Sequence, residues 1–308
     1  MTETKTSPLP ALAGIGTAVL WGFSFLFTKG ALDYTFPLQL LGFRFAIGDI
    51  TMAILIVAGV IKVKLRGRNW LPLVFLSLFQ PGLYFLGETW GVKWTSASEA
   101  GMIIALVPVA VATMARIFLK ERLHYLQVIS IISSVAGVFV IVIAQSAQGQ
   151  IQVGQHINGI FALLLAVIAA GAYSILSKKS SELFSPVEIT YVMMWCGTIL
   201  FNLLGLGQSI LQGNLTSYFG PLFNREILTA VLYLGVLSSV LGFFLFNYAI
   251  SRLKVSQTAS ITNLITVVSV FAGVAFNGDA FSLVHLAGVA LIIFGVWGTN
   301  VFGQKGIQ

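Results

Sequence analysis

The chain has 308 residues, of which 57% are hydrophobic and only 9% charged, with a formal net charge of +7. A soluble domain carries about 25% charged residues, and no single core of this size could hide so much apolar surface, so lipid must be the solvent for much of the chain. The basic residues fall in short clusters between apolar runs, which argues against nucleic acid and for a membrane surface. The lone Cys196 leaves no intramolecular disulfide, and His124, His156 and His285 lack zinc-ligand spacing.

A membrane-spanning helix needs about 20 mostly apolar residues. Spans are expected near 11–33, 37–61, 70–93, 97–119, 124–145, 157–178, 186–212, 226–250, 255–277 and 282–303. The first follows Lys5 and is too long for the apolar core of a signal peptide, about 7–15 residues, with no clear cleavage site. It is expected to stay as a span. Gly and Pro recur inside the spans, as lipid-embedded helices tolerate. The two longest connections, near 146–156 and 213–225, are polar.

Orientation follows from Lys and Arg. With a cytoplasmic N-terminus, the inner side receives Lys5, Lys62, Lys64, Arg66, Arg68, Arg116, Lys120, Arg122, Lys178, Lys179, Arg252, Lys254 and Lys305. The outer side keeps Lys29, Lys93 and Arg225. The bias predicts both termini inside, in a bacterial plasma membrane.

The two halves resemble each other. AVLWGFSFLFTKG (18–30) is similar to the stretch around AVIAAGAYSILSKKS from Ala166, and the register that sets Lys29 on Lys178 also sets Pro37 on Pro186. YFLGETWGVKWTSASEAGMI (84–103) lines up with GFFLFNYAISRLKVSQTASI (242–261), and Gly137 then meets Gly295. Five spans per half is an odd number, so consecutive copies must face opposite ways across the bilayer. The expected architecture is all-α and integral to the membrane: ten helices in two inverted repeats, 1–150 and 151–308, around a central cavity. Inverted repeats place transporter sites at their interface near the midplane.

With AGMIIALVPVAVATMARIFLKERL (100–123) in view, above all Pro108 and the Phe-Leu-Lys-Glu-Arg run at 118–122, the chain resembles the EamA-type family of the drug/metabolite transporter superfamily. The second copy departs from the pattern, with Thr266 in place of Pro108 and Phe-Asn-Gly-Asp (276–279) at the acidic end. The resemblance implies an export-type carrier of small metabolites with a cavity between the copies.

Charges inside spans are functional suspects by default. Glu99 and Glu188 have a structural reading: Ser96-Ala97-Ser98-Glu99 and Ser185-Pro186-Val187-Glu188 carry capping-box spacing, the second with proline at the first helical position. Glu121 and Asp279, at span ends, are expected in solvent. Lys29 and Asp33, four apart, suit an interfacial pair. Glu88 has no capping explanation. It lies five residues short of the outer end of span three, about 8 Å deep, and Arg44 is about 10 Å deep on span two. Two readings stand: a static Arg44–Glu88 pair, or a Glu88 that meets a cationic part of the cargo. Asp49, near mid-bilayer and off Arg44's helix face, is with Glu88 a candidate proton carrier.

Helical spacing supplies the rest of a cavity wall. Tyr84 shares the Glu88 face. Span one offers Trp21, Ser24, Phe25 and Thr28, and span six Tyr173 and Ser174. Span eight offers Phe243, Asn247 and Tyr248, and span nine Asn263. Small polar residues are also ordinary glue between membrane helices, but a carboxamide facing hydrocarbon is costly, which singles out Asn247 and Asn263. Aromatic faces with a few polar groups suit amphipathic solutes: amino acids, or cationic drugs given Glu88.

No phosphate-binding loop, H-E-x-x-H or Ser–His constellation is present. The expected activity is therefore not enzymatic, needs no cofactor or metal, and draws on an ion gradient or on cargo running downhill. A channel would need a continuous polar path and a receptor an output domain; these are the alternatives from other classes.

Overall fold

The computed structural model describes residues 8–32, 34–94, 103–104, 106–121, 123–146, 156–213, 218–277 and 283–305. The described residues are almost entirely helical. Helix α1 covers Leu9–Leu32 and α2 Pro37–Val57, opened by proline at its first position. Helices α3 (Leu71–Ser77) and α4 (Tyr84–Trp94) are joined through Leu78–Leu83, where the backbone kinks at the non-helical Gln80 (φ −146°, ψ 116°) just before Pro81. Next come α5 (Val107–Phe118), α6 (Tyr125–Ser146), α7 (His156–Ser180) and α8 (Pro186–Leu211). Helices α9 (Arg225–Leu232) and α10 (Gly242–Arg252) are joined by a π-helical segment, Tyr233–Leu241. Helices α11 (Val255–Thr262), α12 (Leu264–Asn277) and α13 (Leu283–Lys305) complete the chain.

Six rods are long and apolar enough to cross a bilayer: 9–32, 37–57, 71–91, 157–180, 186–211 and 225–252. Val107–Phe118, Tyr125–Gly137 and Leu286–Thr299 are shorter apolar helices among the described residues. Several expected spans differ from their outline, span three through the kink at Gln80. Span two ends at Val57 rather than 61, because Gly59 takes a left-handed backbone (φ 71°) and turns the chain out. Span nine is broken at Asn263, whose N–H turns back to the Ser260 carbonyl. The proposed Glu99 cap, the Lys29–Asp33 pair and Asp279 lie outside the described residues or side chains.

Polarity is distributed as lipid demands. Large apolar side chains face outward, with Val57, Leu211 and Phe223 about nine-tenths exposed. Arg44, Asn247, Asn263 and Gln127 are buried. Water as solvent would favour the reverse; a bilayer makes the exterior the apolar phase and the helix interfaces the place for polar groups.

The packing pairs the halves crosswise. Helix α1 packs on α10 and α12, and in mirror fashion α7 packs on α4 and α5. Helix α2 packs on α8, and α6 on α13. Each of these contacts thus has a counterpart in which the two halves exchange roles. The α6–α13 crossing shows why glycines match between halves. A Cβ at Gly137 would sit 2.5 Å from the Gly288 carbonyl, and one at Gly295 would sit 2.5 Å from the Ser130 carbonyl. Only hydrogen at both positions lets the backbones approach so closely.

Candidate functional site

Arg44 crosses from the first half to the second. It lies in the second turn of α2, is only 5% exposed, and donates from Nε to Ser239 Oγ (2.8 Å) and from Nη2 to Ser238 Oγ (2.9 Å). The guanidinium also stacks on Phe85, 4.5 Å from the ring centre, a favourable contact for a cation taken out of water. The two serines are adjacent in sequence, so an ordinary α-helix would turn them about 100° apart. They meet different nitrogens of one guanidinium, and both sit in the π-helical segment between α9 and α10, a departure often found at functional sites. Trp21 of α1 donates its indole N–H to the Ser238 carbonyl at 3.0 Å, so two first-half side chains hold the same residue.

Glu88 stands nearby on α4. Tyr84, one turn earlier, donates its hydroxyl to Glu88 Oε1 at 3.4 Å, a long bond for this type. Arg44 and Glu88 act on each other electrostatically, but no nitrogen–oxygen approach within 4.0 Å joins them. The static pair expected as one reading of the sequence is thus not formed here. Tyr84 and Glu88 both retain partial exposure although they sit within the helix bundle. Asp49, also partly exposed, has no hydrogen-bond or ion-pair partner among the described residues.

The remaining candidates divide in two. Trp21, Ser24 and Thr28 are partly exposed, with Ser24 Oγ donating to the Trp21 carbonyl; the Phe25 side chain lies outside the description. By contrast, Asn247 is fully buried and satisfied. Its Oδ1 accepts from Tyr173 (2.6 Å) and Ser177 (2.8 Å), and its Nδ2 donates to Thr190 Oγ1 (3.1 Å). Phe243 is fully buried against Trp21, at 5.2 Å between rings, and Ser174 donates to its own helix at Ala170. Asn263 donates to Ser134 Oγ across to α6 at 2.6 Å. In this conformation Asn247, Tyr173, Phe243 and Asn263 bind helices together and Ser174 is satisfied within its own helix, because a buried carboxamide or hydroxyl is least costly when every polar atom is paired. Tyr248 lies elsewhere, on a surface cavity of about 480 Å³ with Phe184, Phe244 and Arg252.

That cavity is at the end of the bundle that carries Arg68, Lys178 and Arg252. The predicted Ser185–Glu188 capping box is present there: Ser185 Oγ accepts from the Glu188 N–H, and Glu188 Oε2 accepts from the Ser185 N–H at 2.8 Å. Glu188 also accepts from the Lys64 N–H and pairs with Arg68 at 3.2 Å. Glu121, expected in solvent, instead caps α11. It accepts from the Val255 N–H (2.9 Å) and Ser256 Oγ (3.0 Å), where backbone donors are otherwise unmet and the helix dipole favours a negative charge. Lys178 donates to the carbonyls of Ile250, Ser251 and Leu253, closing the end of α10 in the complementary way. At the opposite end Gln39 donates to the Tyr218 carbonyl, while burial pushes the Tyr218 phenol up to about 12.

Sequence reasoning missed Ser238, Ser239, Glu121 and Lys178. A Ser-Ser pair inside an apolar span was a visible signal for the first two.

The EamA-like transporter family model matches the chain twice, over residues 9–143 and 157–301. The chain belongs to that family. An uncharacterized transporter of Bacillus subtilis is 31% identical over 302 residues, covering 98% of this chain and 96% of the relative. Two further relatives carry more specific names. One is the "probable terminal-alkyne amino-acid exporter" of Streptantibioticus cattleyicolor, 26% identical over 91% of this chain and 89% of the relative. The other is the "probable amino-acid metabolite efflux pump" of Salmonella typhimurium, 25% identical over 93% of each. A crystal structure 19% identical in sequence superposes with a TM-score of 0.77 over 95% of this chain and 98% of its own, which shows the shared fold. This EamA-like transporter is an integral membrane protein, and the groups above are the interior polar features of its helix bundle.

Proposed function

We propose that this EamA-like transporter is a secondary exporter of small metabolites of the amino-acid type. It works by alternating access between two inverted five-span repeats, 1–150 and 151–308. Ten spans then cross a bacterial plasma membrane, with both termini cytoplasmic. The observation that carries the reading is the crosswise packing, in which α1 and α7 each grip the opposite half. Two such units can exchange which end is open by rocking about the α2–α8 and α6–α13 contacts without remaking either half.

The interactions at the two ends support the same reading. At the basic end, whose charge bias supports a cytoplasmic side, the Glu188–Arg68 pair and the Glu121 cap join the two repeats and must part for inward opening. Asp49, which has no hydrogen-bond or ion-pair partner among the described residues, and Glu88 are the two carboxylate candidates for carrying a proton. The names of two relatives support an amino-acid cargo.

Exchange in proteoliposomes tests this. Labelled internal solute should leave faster when unlabelled solute is present outside, a signature of a carrier. A flux that is insensitive to the opposite side and does not saturate would indicate a pore and end the proposal.

A further inference from the structure

A buried guanidinium in lipid surroundings usually holds a carboxylate in contact. Arg44 does not: its charged hydrogen bonds end on two neutral hydroxyls, Ser238 and Ser239. Nη1 makes no hydrogen bond among the described residues, and it is not one of their fully sealed, unpaired polar atoms. Among the described residues Glu88 likewise has one long bond from Tyr84 and a second oxygen that is neither bonded nor fully sealed. The two charges interact but stop short of contact. Both are confined to the first half. In the register that aligns Pro37 with Pro186, Arg44 falls on Met193, and in that aligning Tyr84 with Gly242, Glu88 falls on Phe246. The charges are therefore not part of the framework that repeats between halves, unlike the paired glycines of the α6–α13 crossing.

We infer that Arg44 and Glu88 are the two poles of a zwitterion-binding site. Arg44 Nη1 takes the carboxylate of an α-amino acid, and Glu88 takes its ammonium. Ser238, Ser239 and the Phe85 ring fix the guanidinium plane, so one donor edge is presented in a set direction, and Tyr84 steadies the carboxylate of Glu88. A cargo carrying both charges satisfies both poles at once. A cargo with only one charge leaves the other pole buried and unpaired, which is how polar sites reject analogues that lack a group.

This inference rests on the carrier reading above, and the test separates the two. Proteoliposomes containing the full-length chain are assayed for exchange of a labelled equimolar mixture of the twenty protein L-amino acids. The competitors are unlabelled amino acids, their methyl esters, and their N-acetyl derivatives. Labelled phenethylamine and labelled phenylacetate are run as separate cargoes.

The expected result is that free amino acids compete at least tenfold better than either blocked series, and that neither single-charge cargo exchanges. R44Q and E88Q should each lower amino-acid exchange at least tenfold while the protein remains monodisperse on size exclusion. Competition by the esters equal to that of the parent amino acids, or exchange of the amine, would assign a cationic cargo and overturn the inference while leaving the carrier reading intact. Equal competition by the N-acetyl series, or exchange of the acid, would do the same for an anionic cargo. Exchange of none of the cargoes by folded wild type would overturn both. The competition arms use only the wild-type protein, so misfolding of a variant cannot hide the answer.

Discussion

Arg44 and Asn247 are both buried polar side chains, yet their surroundings give them different work. Asn247 has its oxygen doubly occupied by Tyr173 and Ser177 and its nitrogen bonded to Thr190, so it acts as a node joining α7, α8 and α10. N247A should destabilise the protein by about 1–3 kcal/mol, since it leaves buried hydroxyls without a partner; thermal unfolding in detergent would show it, and an unchanged midpoint would contradict the node. Asp49 is the opposite case, a partly exposed carboxylate without a partner among the described residues. D49N should abolish the stimulation of transport by a pH gradient and leave exchange at equal pH intact. Persisting stimulation would remove Asp49 from the coupling route. Composition and depth along the span were enough to single out Arg44, Glu88 and Asp49, because charge in an apolar run stands out. Which partner each one meets was not legible, since Ser238 and Ser239 lie some 195 residues from Arg44 in sequence.

Helices in this protein are interrupted where the halves correspond. The kinked segment before Tyr84 and the π-helical segment before Gly242 end at equivalent residues in the repeat alignment. Pro81, which has no N–H to give, marks the first; the second contains no proline, so its sequence offered no warning. The third helical position of α2 and of α8 shows another correspondence. Gln39 reaches the Tyr218 carbonyl at one end, and Glu188 reaches Lys64 and Arg68 at the other. The capping box at Glu188 was readable from four residues, because capping is local. Its hold on the loop between α2 and α3 was not. R68A should cost only about 0–1 kcal/mol, because Arg68 is partly exposed and its ion pair is screened. E188A removes in addition the bonds to the Ser185 and Lys64 N–H groups, each worth about 0.5–1.5 kcal/mol. It should therefore lower the unfolding midpoint more than R68A, and equal effects would show that the capping bonds contribute nothing.

At the scale of the molecule, polar contacts join the two halves at the basic end. Glu121 caps α11 from the far side of the sequence, joining 121 to 255 and 256 at the basic end. If that end opens during transport, the contact must break. In a chain with Cys196 replaced by Ala, the pair E121C and S256C should cross-link on oxidation and stop exchange, with activity returning on reduction. Undiminished exchange in the cross-linked protein would mean that this end never parts. The same framework predicts that a reagent unable to cross the membrane reaches tags at neither terminus from outside the cell. Labelling of either terminus would invert the orientation drawn from Lys and Arg.

The amino-acid sequence by itself determined the solvent of this protein, its helical class and its family. Apolar run length, charge bias and repeated glycines are local or additive properties that survive without knowledge of neighbours. Only the tertiary structure decided that Asn247 and Asn263 bind helices together, that Glu121 caps a helix of the other half, and that Arg44 rests on two hydroxyls rather than on Glu88. Those outcomes depend on which helix crosses which, and in a bilayer many alternative faces are equally apolar. The choice falls to close backbone approach and to the pairing of every buried polar atom.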